Sequence, residues 1–193
     1  MNSFQELNLN QQYTYADYLT WQFKERVELI KGKIFAMSPA PKRRHQDISL
    51  ELSRQFANFL LGKSCKVYEA PFDVRIPVKS KQDEEVYTVV QPDLCVICDS
   101  NKLDEYGCVG APDLIIEILS KSSSKKDLQD KFDLYQESGV TEYWIVSPND
   151  QIVDVFLLEE DKYHLKGKYT DQDKVATYTI KGLEIDLNLV FAE

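Results

Sequence analysis

Two acidic residues stand beside strand-like apolar segments, where an ionised carboxylate is costly. Glu117 interrupts the run LIIEIL (114–119), and alternation along a strand places it on the same face as Ile115 and Leu119. Asp93 directly precedes a second apolar run, LCVIC (94–98). If the two strands are neighbours, the carboxylates repel each other unless they share a proton or a cation. Because Mg²⁺ is commonly held by one or two carboxylates, waters and a phosphate, the pattern predicts a magnesium site.

A structural role is the alternative for the aspartates, since each follows a proline. Pro-Asp is common in turns and at strand entries, where the aspartate accepts backbone N–H groups. We expect this structural role for Asp113, which precedes LIIEIL. For Asp93 both roles stay open, and the buried position expected for Glu117 favours a functional site.

Four cysteines, at 65, 95, 98 and 108, raise the question of a zinc or redox site. Cys95 and Cys98 have C-x-x-C spacing. On a strand, however, residues three apart point to opposite faces, and no second C-x-x-C or Cys/His pair completes a ligand set. The sequence therefore favours small buried thiols over a zinc or redox protein.

The N-terminal half predicts a helix, a hairpin and a second helix before the first buried strands. Thr14 is placed to cap a helix over about 15–25, and VELIKGKIFAM predicts a hairpin that turns at Lys31 and Gly32. Apolar residues recur at helical spacing over about 45–61. Further strands are predicted at CKVYEA, DVRIPV, YTVV and LCVIC.

The C-terminal half predicts a crossover between parallel strands. Residues 101–110 are expected to be a connection, and LIIEIL is followed by a helix from 122–124 to about Ser138, which Gly139 ends. Because EYWIVS then returns as a strand, the strand–helix–strand unit requires a parallel pair. A meander of short strands is predicted over about 151–187.

Composition is typical of one globular domain spanning residues 1–193, with 43% hydrophobic and 28% charged residues. The net charge of −9 disfavours non-specific nucleic-acid binding by the whole surface. Local basic clusters are candidates for contacts to a nucleic-acid backbone, namely Lys42, Arg43, Arg44, Lys125 and Lys126. No signal peptide is recognisable and no apolar run reaches the roughly 18 residues of a membrane span, so we expect a cytoplasmic protein without membrane contact.

Several segments of the sequence resemble the Uma-two family of endonucleases, in the PD-(D/E)XK nuclease superfamily. They are VELIKGKIFAMSPAP, QPDLCVI and GAPDLIIEILSKSS with KDLQDKFDLYQESGVTEYWIVSP. The resemblance covers about residues 15–160 and is most specific over 110–148. It implies an α/β (α+β) restriction-endonuclease-like fold, a mixed sheet flanked by helices, here with additional C-terminal antiparallel strands. It also implies hydrolysis of phosphodiester bonds with Mg²⁺ or Mn²⁺, with nucleic acid, foremost DNA, as partner; a homodimer is a candidate assembly.

The resemblance also assigns roles to individual residues. Asp93 would be the metal-binding aspartate and Glu117 the acid of the E-x-K element. Glu28, in VELIKG, matches a recurrent family glutamate that would contact metal or orient water; an exposed hairpin position is the alternative. His45 matches a family histidine, for which we expect a capping or hydrogen-bonding role.

One departure concerns the lysine of E-x-K, which positions water and balances charge during attack on phosphate. Leu119 stands in its place. Lys121 has the right strand parity, but four extended residues put its Cα about 13 Å beyond Glu117. Lys131 matches the lysine of the family's D-x-x-x-K-x-x-x-Y pattern on the next helix. It either substitutes for the missing lysine or forms a surface pair with the aspartate four residues earlier.

Two classes of function therefore remain. One is a metal-dependent endonuclease, favoured by the retention of Asp93 and Glu117. The other is a non-catalytic binding module that keeps the nuclease fold, favoured by the missing lysine and the acidic surface.

Overall fold

Two six-stranded sheets and a two-stranded ribbon hold most of the chain. The computed structural model describes residues 4–37, 42–78, 81–120 and 125–192. The helices are α1 (Tyr15–Tyr18), α2 (Arg43–Leu60), α3 (Lys125–Ser138) and α4 (Leu187–Val190). The strands are β1 (Val27–Ile30), β2 (Lys33–Ala36), β3 (Lys66–Glu69), β4 (Val74–Arg75), β5 (Val89–Val90), β6 (Leu94–Ile97), β7 (Leu103–Asp104), β8 (Gly107–Val109), β9 (Leu114–Ile118), β10 (Glu142–Ser147), β11 (Ile152–Glu159), β12 (Lys162–Thr170), β13 (Lys174–Ala176) and β14 (Glu184–Asp186).

The first sheet, in the order β12-β11-β10-β9-β6-β3, contains the predicted crossover. Strands β9 and β10 are parallel and α3 connects them, which confirms the expectation of a parallel pair. Strand β6 lies antiparallel on the other side of β9, with Leu94 opposite Ile116. The second sheet, in the order β2-β1-β5-β4-β8-β7, begins with the predicted hairpin, in which Ile30 pairs with Lys33. The fold is thus a mixed α/β arrangement of the expected class.

Strand β9 is buried on both faces, as its continuous apolar pattern predicts. Ile116 packs with Trp144 in one hydrophobic cluster, while Ile115 packs with Tyr135 and Tyr143 in the other. The first cluster is covered by the buried stripe of α2, which consists of Ile48, Leu52, Phe56 and Leu60. The second is covered by α3. Since each fully buried aliphatic side chain contributes about 1.5–3 kcal/mol, this double burial fixes the central strand in place.

The first helix is shorter than predicted. Thr14 forms the expected N-terminal cap, in a reciprocal capping box with Asp17, but α1 ends at Tyr18 instead of near residue 25. The Thr20 hydroxyl donates to the Asp17 carbonyl, and the backbone N–H of Thr20 donates to the same oxygen. A side chain that competes for helix carbonyls in this way favours a turn.

The predicted connection over 101–110 contains the short strands β7 and β8. Their hairpin requires Gly107, which has a φ of +134° and lies so close to the Asp73 carbonyl that a Cβ would be 2.2 Å from the oxygen. Strands of two or three residues are too short to show alternation, so the pattern gave no signal for them. The predicted start of α3 at 122–124 lies outside the described residues.

The cysteines differ from the expectation of four small buried thiols. Cys98 forms a disulfide with Cys65, at the position that follows the Lys66–Ile97 pair in the β3–β6 register. Cys95 is buried and points into the other cluster, so it does not face Cys98. The C-x-x-C spacing thus reflects two residues on opposite faces of one strand.

A buried glutamate joins the first sheet to the C-terminal segment. Glu142, which is 0% exposed, accepts a hydrogen bond at Oε1 from the Trp144 indole at 2.8 Å. Its Oε2 accepts three more, from the backbone N–H groups of Tyr178 and Thr179 and from the Thr179 hydroxyl, at 2.7–3.0 Å. Four donors converge on one carboxylate, which satisfies the groups that its burial removes from water.

We expect Glu142→Gln to destabilise the protein by about 3 kcal/mol, because an amide N–H₂ would replace one of the two acceptors in a buried network. Urea unfolding measures the change. Glu159→Gln is the control, since Glu159 is exposed and pairs with Lys166 at the surface, and it should have almost no effect. A Glu142→Gln protein as stable as the wild type would contradict this role.

Candidate active site

The two predicted carboxylates lie on neighbouring antiparallel strands. Because Leu94 is opposite Ile116, Asp93 and Glu117 occupy the next positions of the same register. Asp93 Oδ2 accepts the backbone N–H of Ile118 at 2.7 Å, which ties it to the strand that carries Glu117. Asp113, by contrast, accepts the Cys98 N–H at 2.7 Å, the structural role expected for it.

Lys131 reaches this point from α3. Its Nζ lies 2.8 Å from Glu117 Oε1 and 3.1 Å from Glu28 Oε1, and its side chain is only 16% exposed. Tyr135, one turn further along the helix, donates its hydroxyl to the same Glu117 Oε1 at 2.6 Å. The i,i+4 spacing of Lys131 and Tyr135 thus directs both side chains at one carboxylate. The Lys131 side chain thus points into the interior of the protein and contacts Glu117.

Glu28 is buried, so the exposed hairpin position considered for it is wrong. It is 5% exposed, and its Oε1 accepts the backbone N–H of Gln91 at 2.8 Å in addition to the contact with Lys131. Glu28 is buried because strand β1 is covered on both faces, so that Val27, Leu29 and Ile30 are buried as well. One ammonium therefore stands between two buried carboxylates.

His45 approaches from the other side, in the first turn of α2. Its Nε2 lies 3.3 Å from Asp93 Oδ1, so it has the hydrogen-bonding role expected for it. Burial lowers the pKa of His45, but the hydrogen bond and the charge of Asp93 outweigh burial, and the pKa is raised overall. The imidazole is therefore held near its charged form by the carboxylate beside it.

The charges at this point do not balance. Burial raises the pKa of Glu117 to about 7; Lys131 opposes this shift, while the nearby negative charges of Asp93 and Glu28 add to it. Burial lowers the pKa of Lys131, but the charges of Glu117 and Glu28 raise it by more than burial lowers it. Lys131 therefore remains an ammonium. Two carboxylates thus share the Lys131 ammonium, while Asp93 pairs with His45. With three carboxylates against two basic groups, a further cation would stabilise this environment.

The donor set fits a hard divalent cation. Asp93 and Glu117 offer two carboxylates on adjacent strands, and Mg²⁺ commonly takes one or two carboxylates and completes its shell with water and phosphate. Among the described residues, no group of three or more His, Cys, Asp or Glu side chains is arranged to hold a metal by itself. The protein's share of such a site is therefore the carboxylate pair.

A cleft of about 270 Å³ opens beside Asp93 and His45. Its other lining residues come from the segment before β1, from α2 and from the end of β3; they include Arg26, Gln46, Ser49 and Glu69. The cleft gives a ligand access from solvent to Asp93, the member of the carboxylate pair that lines it.

The basic residues proposed for backbone contacts are placed differently from one another. Lys42 is exposed just before α2, and Arg43, also exposed, pairs with Asp47 at 3.2 Å. Arg44 donates to the backbone carbonyls of Phe191 and Ala192, so its guanidinium attaches α2 to the C-terminal segment. The side chains of Lys125 and Lys126 lie outside the described part of the chain. A nucleic-acid contact by these residues stays a prediction.

Comparison with known proteins identifies the family. The family model "Uma2: Putative restriction endonuclease" matches residues 15–188. The chain belongs to the Uma2 family. It is 29% identical to an uncharacterized protein of Synechocystis sp. over 178 residues, covering 91% of this chain and 89% of the relative. The crystal structure of a "putative nuclease" from Anabaena variabilis superposes with a TM-score of 0.70 at 19% identity, covering 93% of this chain and 98% of that one.

The family assignment and the restriction-endonuclease-like fold predicted from the sequence are thus confirmed. The comparisons place the Uma2 chain in a family of nuclease-like proteins; they do not assign roles to its residues. In the part of the chain that the structure describes, no helix has the length and apolar character needed to cross a membrane.

Several residues that form hydrogen bonds in the Uma2 site were not predicted from the sequence. The D-x-x-x-K-x-x-x-Y pattern includes Tyr135, but no role was predicted for its hydroxyl, which donates to Glu117. Gln91 and Arg26 were not singled out. Gln91 immediately precedes Pro92-Asp93, but its partners are Glu28, Asp73, Tyr18 and Arg26, distant residues that no local pattern indicates.

The raised pKa of Glu117 has a measurable consequence for stability. An unfolded glutamate titrates near 4.5, so the folded Uma2 protein binds more protons than the unfolded chain between pH 4.5 and about 7. The stability contributed by protonated Glu117 is fully present below that range and is lost as the pH rises through about 7. Without metal, the wild type should therefore lose on the order of 2 kcal/mol more than Glu117→Gln between about pH 5 and pH 8.

Urea unfolding in EDTA across this pH range tests the difference. Glu159→Gln serves as control: the pKa of Glu159 is lowered by its hydrogen bond to Lys166, so it titrates below the range. If the stability of the wild type and that of Glu117→Gln depend equally on pH, the pKa of Glu117 is not raised in the folded protein.

Proposed function

We propose that this Uma2 protein is a magnesium-dependent endonuclease, able also to use Mn²⁺, that hydrolyses phosphodiester bonds in DNA. The single observation that carries the proposal is the position of Lys131. The sequence lacks the lysine of E-x-K, and α3 supplies an ammonium 2.8 Å from the glutamate of that element. Membership of a family of nuclease-like proteins supports the same reaction class.

Asp93 and Glu117 would hold the metal. A bound Mg²⁺ would lower the pKa of a coordinated water and neutralise charge on the phosphate. Lys131 and Tyr135 both contact Glu117 at Oε1, so they fix the orientation of this carboxylate and leave ligation to Oε2. Asp93 is fixed by the Ile118 N–H at Oδ2 and by His45 at Oδ1. Both ligands are thus held in place before a metal arrives.

Lys131 acts in this proposal as a fixed positive charge. Its raised pKa excludes a role as a proton acceptor near neutral pH. Held between Glu28 and Glu117, it stabilises the negative charge that develops as water attacks phosphorus. Glu28 positions Lys131 and, through the Gln91 N–H, connects it to the segment that leads into Asp93.

The alternative, a non-catalytic binding module, loses its main argument. That argument was the missing lysine, and a lysine occupies the position next to Glu117. A module that only bound a partner would gain nothing from a buried glutamate with a raised pKa. The acidic net charge is compatible with either function.

We expect Lys131→Met to reduce magnesium-dependent DNA cleavage by about a hundredfold or more, because it removes the fixed positive charge from the site. Since Glu28 and Glu117 then lack their cation, we expect the single variant to lose stability as well. The double variant Lys131→Met/Glu28→Gln restores the charge balance, and its amide oxygen can still accept the Gln91 N–H. Plasmid nicking measures activity, and Lys174→Met, which removes an exposed lysine, is the control. A folded double variant with wild-type activity would assign Lys131 a purely structural role.

We expect Asp93→Asn to abolish cleavage while the metal-free protein stays about as stable as the wild type. The amide oxygen can still accept the Ile118 N–H, and one of the repelling charges is gone. Mg²⁺ at a concentration of a hundred times Kd should stabilise the wild type by about 2.7 kcal/mol and so raise its melting temperature. The melting temperature of the variant should rise much less.

The matched control is Asp113→Asn, because Asp113 also accepts one backbone N–H but lies outside the site. It should keep the full magnesium shift. Strong destabilisation by Asp93→Asn both with and without metal would show that Asp93 is a structural acceptor, and the catalytic proposal would fail.

A further inference from the structure

Arg26, which no sequence motif indicated, lines the cleft together with Asp93 and His45. It immediately precedes β1, and its backbone carbonyl accepts the N–H of Met37 at 2.9 Å, which extends the β1–β2 hairpin by one position. The start of its side chain is therefore fixed by the sheet, although the residue is exposed.

The guanidinium is held by an uncharged partner. Its Nε and Nη2 both donate to Gln91 Oε1, at 3.1 and 2.6 Å. The Gln91 amide cannot turn away, because its Nε2 donates to Asp73 Oδ1 at 2.7 Å and to the Tyr18 hydroxyl at 3.3 Å. A carboxylate requires the N–H side of the amide and a guanidinium requires the oxygen side, so these partners fix its orientation.

The positive charge of Arg26 is consequently not neutralised. Among the described residues, no carboxylate oxygen lies within 4 Å of its nitrogens, whereas three basic residues of α2 and α3 are paired. Arg43 pairs with Asp47, His45 with Asp93, and Lys131 with Glu117 and Glu28. The N–H groups that do not contact Gln91 are available to an anion that enters the cleft.

The geometry points to Arg26 as a residue that binds a backbone phosphate of the nucleic-acid substrate, held in position by Gln91. A guanidinium presents a planar set of donors that matches the oxygens of a phosphate, and it binds them more strongly than a neutral donor would. The carboxylates of the cleft repel such an anion, so an unneutralised cation in its lining determines where the phosphate can lie. This assignment rests on the proposed function, because it takes nucleic acid as the ligand.

The test measures binding of a short fluorescein-labelled DNA duplex by fluorescence anisotropy across a salt series. Calcium replaces magnesium in the buffer, because it takes the same oxygen ligands, and a gel confirms that the duplex is intact. Arg26→Gln should raise Kd by about tenfold and reduce the slope of log K against log salt by about one. Arg26→Lys keeps the charge but loses the planar donor set, so it should keep the slope and recover only part of the affinity.

Arg54→Gln is the matched control, since it removes the same charge from an exposed arginine that pairs with Glu51 on α2. It should change neither Kd nor slope. If Arg26→Gln binds DNA with wild-type affinity and salt slope, or if it only lowers the melting temperature, the assignment is wrong and Arg26 merely holds Gln91.

The outcomes separate this inference from the nuclease proposal. A wild type that nicks plasmid while Arg26→Gln binds normally overturns the role of Arg26 alone. A wild type whose DNA affinity and salt slope depend on Arg26 but which never cleaves overturns the nuclease proposal alone. A wild type that does not bind DNA at all overturns the inference.

Discussion

The ammonium of Lys131 lies within 3.1 Å of two buried carboxylates, those of Glu117 and Glu28, and the site depends on this contact. A buried ion without a partner costs several kcal/mol, so neither glutamate can keep its charge in place without the lysine. Yet one ammonium cannot balance both glutamates, and the basic partner of Asp93 is His45. Burial, with the nearby charges of Asp93 and Glu28, raises the pKa of Glu117 to about 7, and in the proposed function a divalent cation would relieve this cost.

The fold brings these charges together by placing one residue on each of several rigid elements. Strands β1 and β9 belong to different sheets, and α3 lies against both glutamates through Lys131. Strand β9 is fixed by hydrophobic clusters on both faces, and α3 is anchored by buried Leu134 and Tyr135. Because α3 is also the crossover between two parallel strands, it must pack over the sheet, and this carries Lys131 to Glu117. In the proposed function, α3 thereby supplies the lysine that β9 lacks.

Local periodicity was enough to predict the parts of the site that depend on one element. Alternation placed Glu117 with Ile115, whereas Lys131 was indicated by its match to the family's D-x-x-x-K-x-x-x-Y pattern. Parts that depend on distant contacts were missed. The burial of Glu28 needs the Gln91 N–H from 63 residues away, and the partner of Cys98 lies 33 residues earlier, across a strand pair.

A second limit was strand length. Strands β7 and β8 have too few residues to show a period, and the end of α1 depends on a single side-chain hydrogen bond from Thr20. The orientation of Arg26 is set by the Gln91 amide, whose other partners, Tyr18 and Asp73, come from two separate segments. Such arrangements are decided by tertiary packing, which composition and spacing do not encode locally.

Calorimetric titration of Mn²⁺ into the metal-free protein tests the central claim most directly, because it measures whether the excess negative charge takes up a cation. Repeating the titration near pH 7 in buffers of different ionisation enthalpy counts the protons released. We expect saturable binding with proton release from Glu117 and His45, whose pKa values are both raised, and loss of binding in Glu117→Gln. Absence of saturable binding by the wild type, or unchanged binding by Glu117→Gln, would contradict the account.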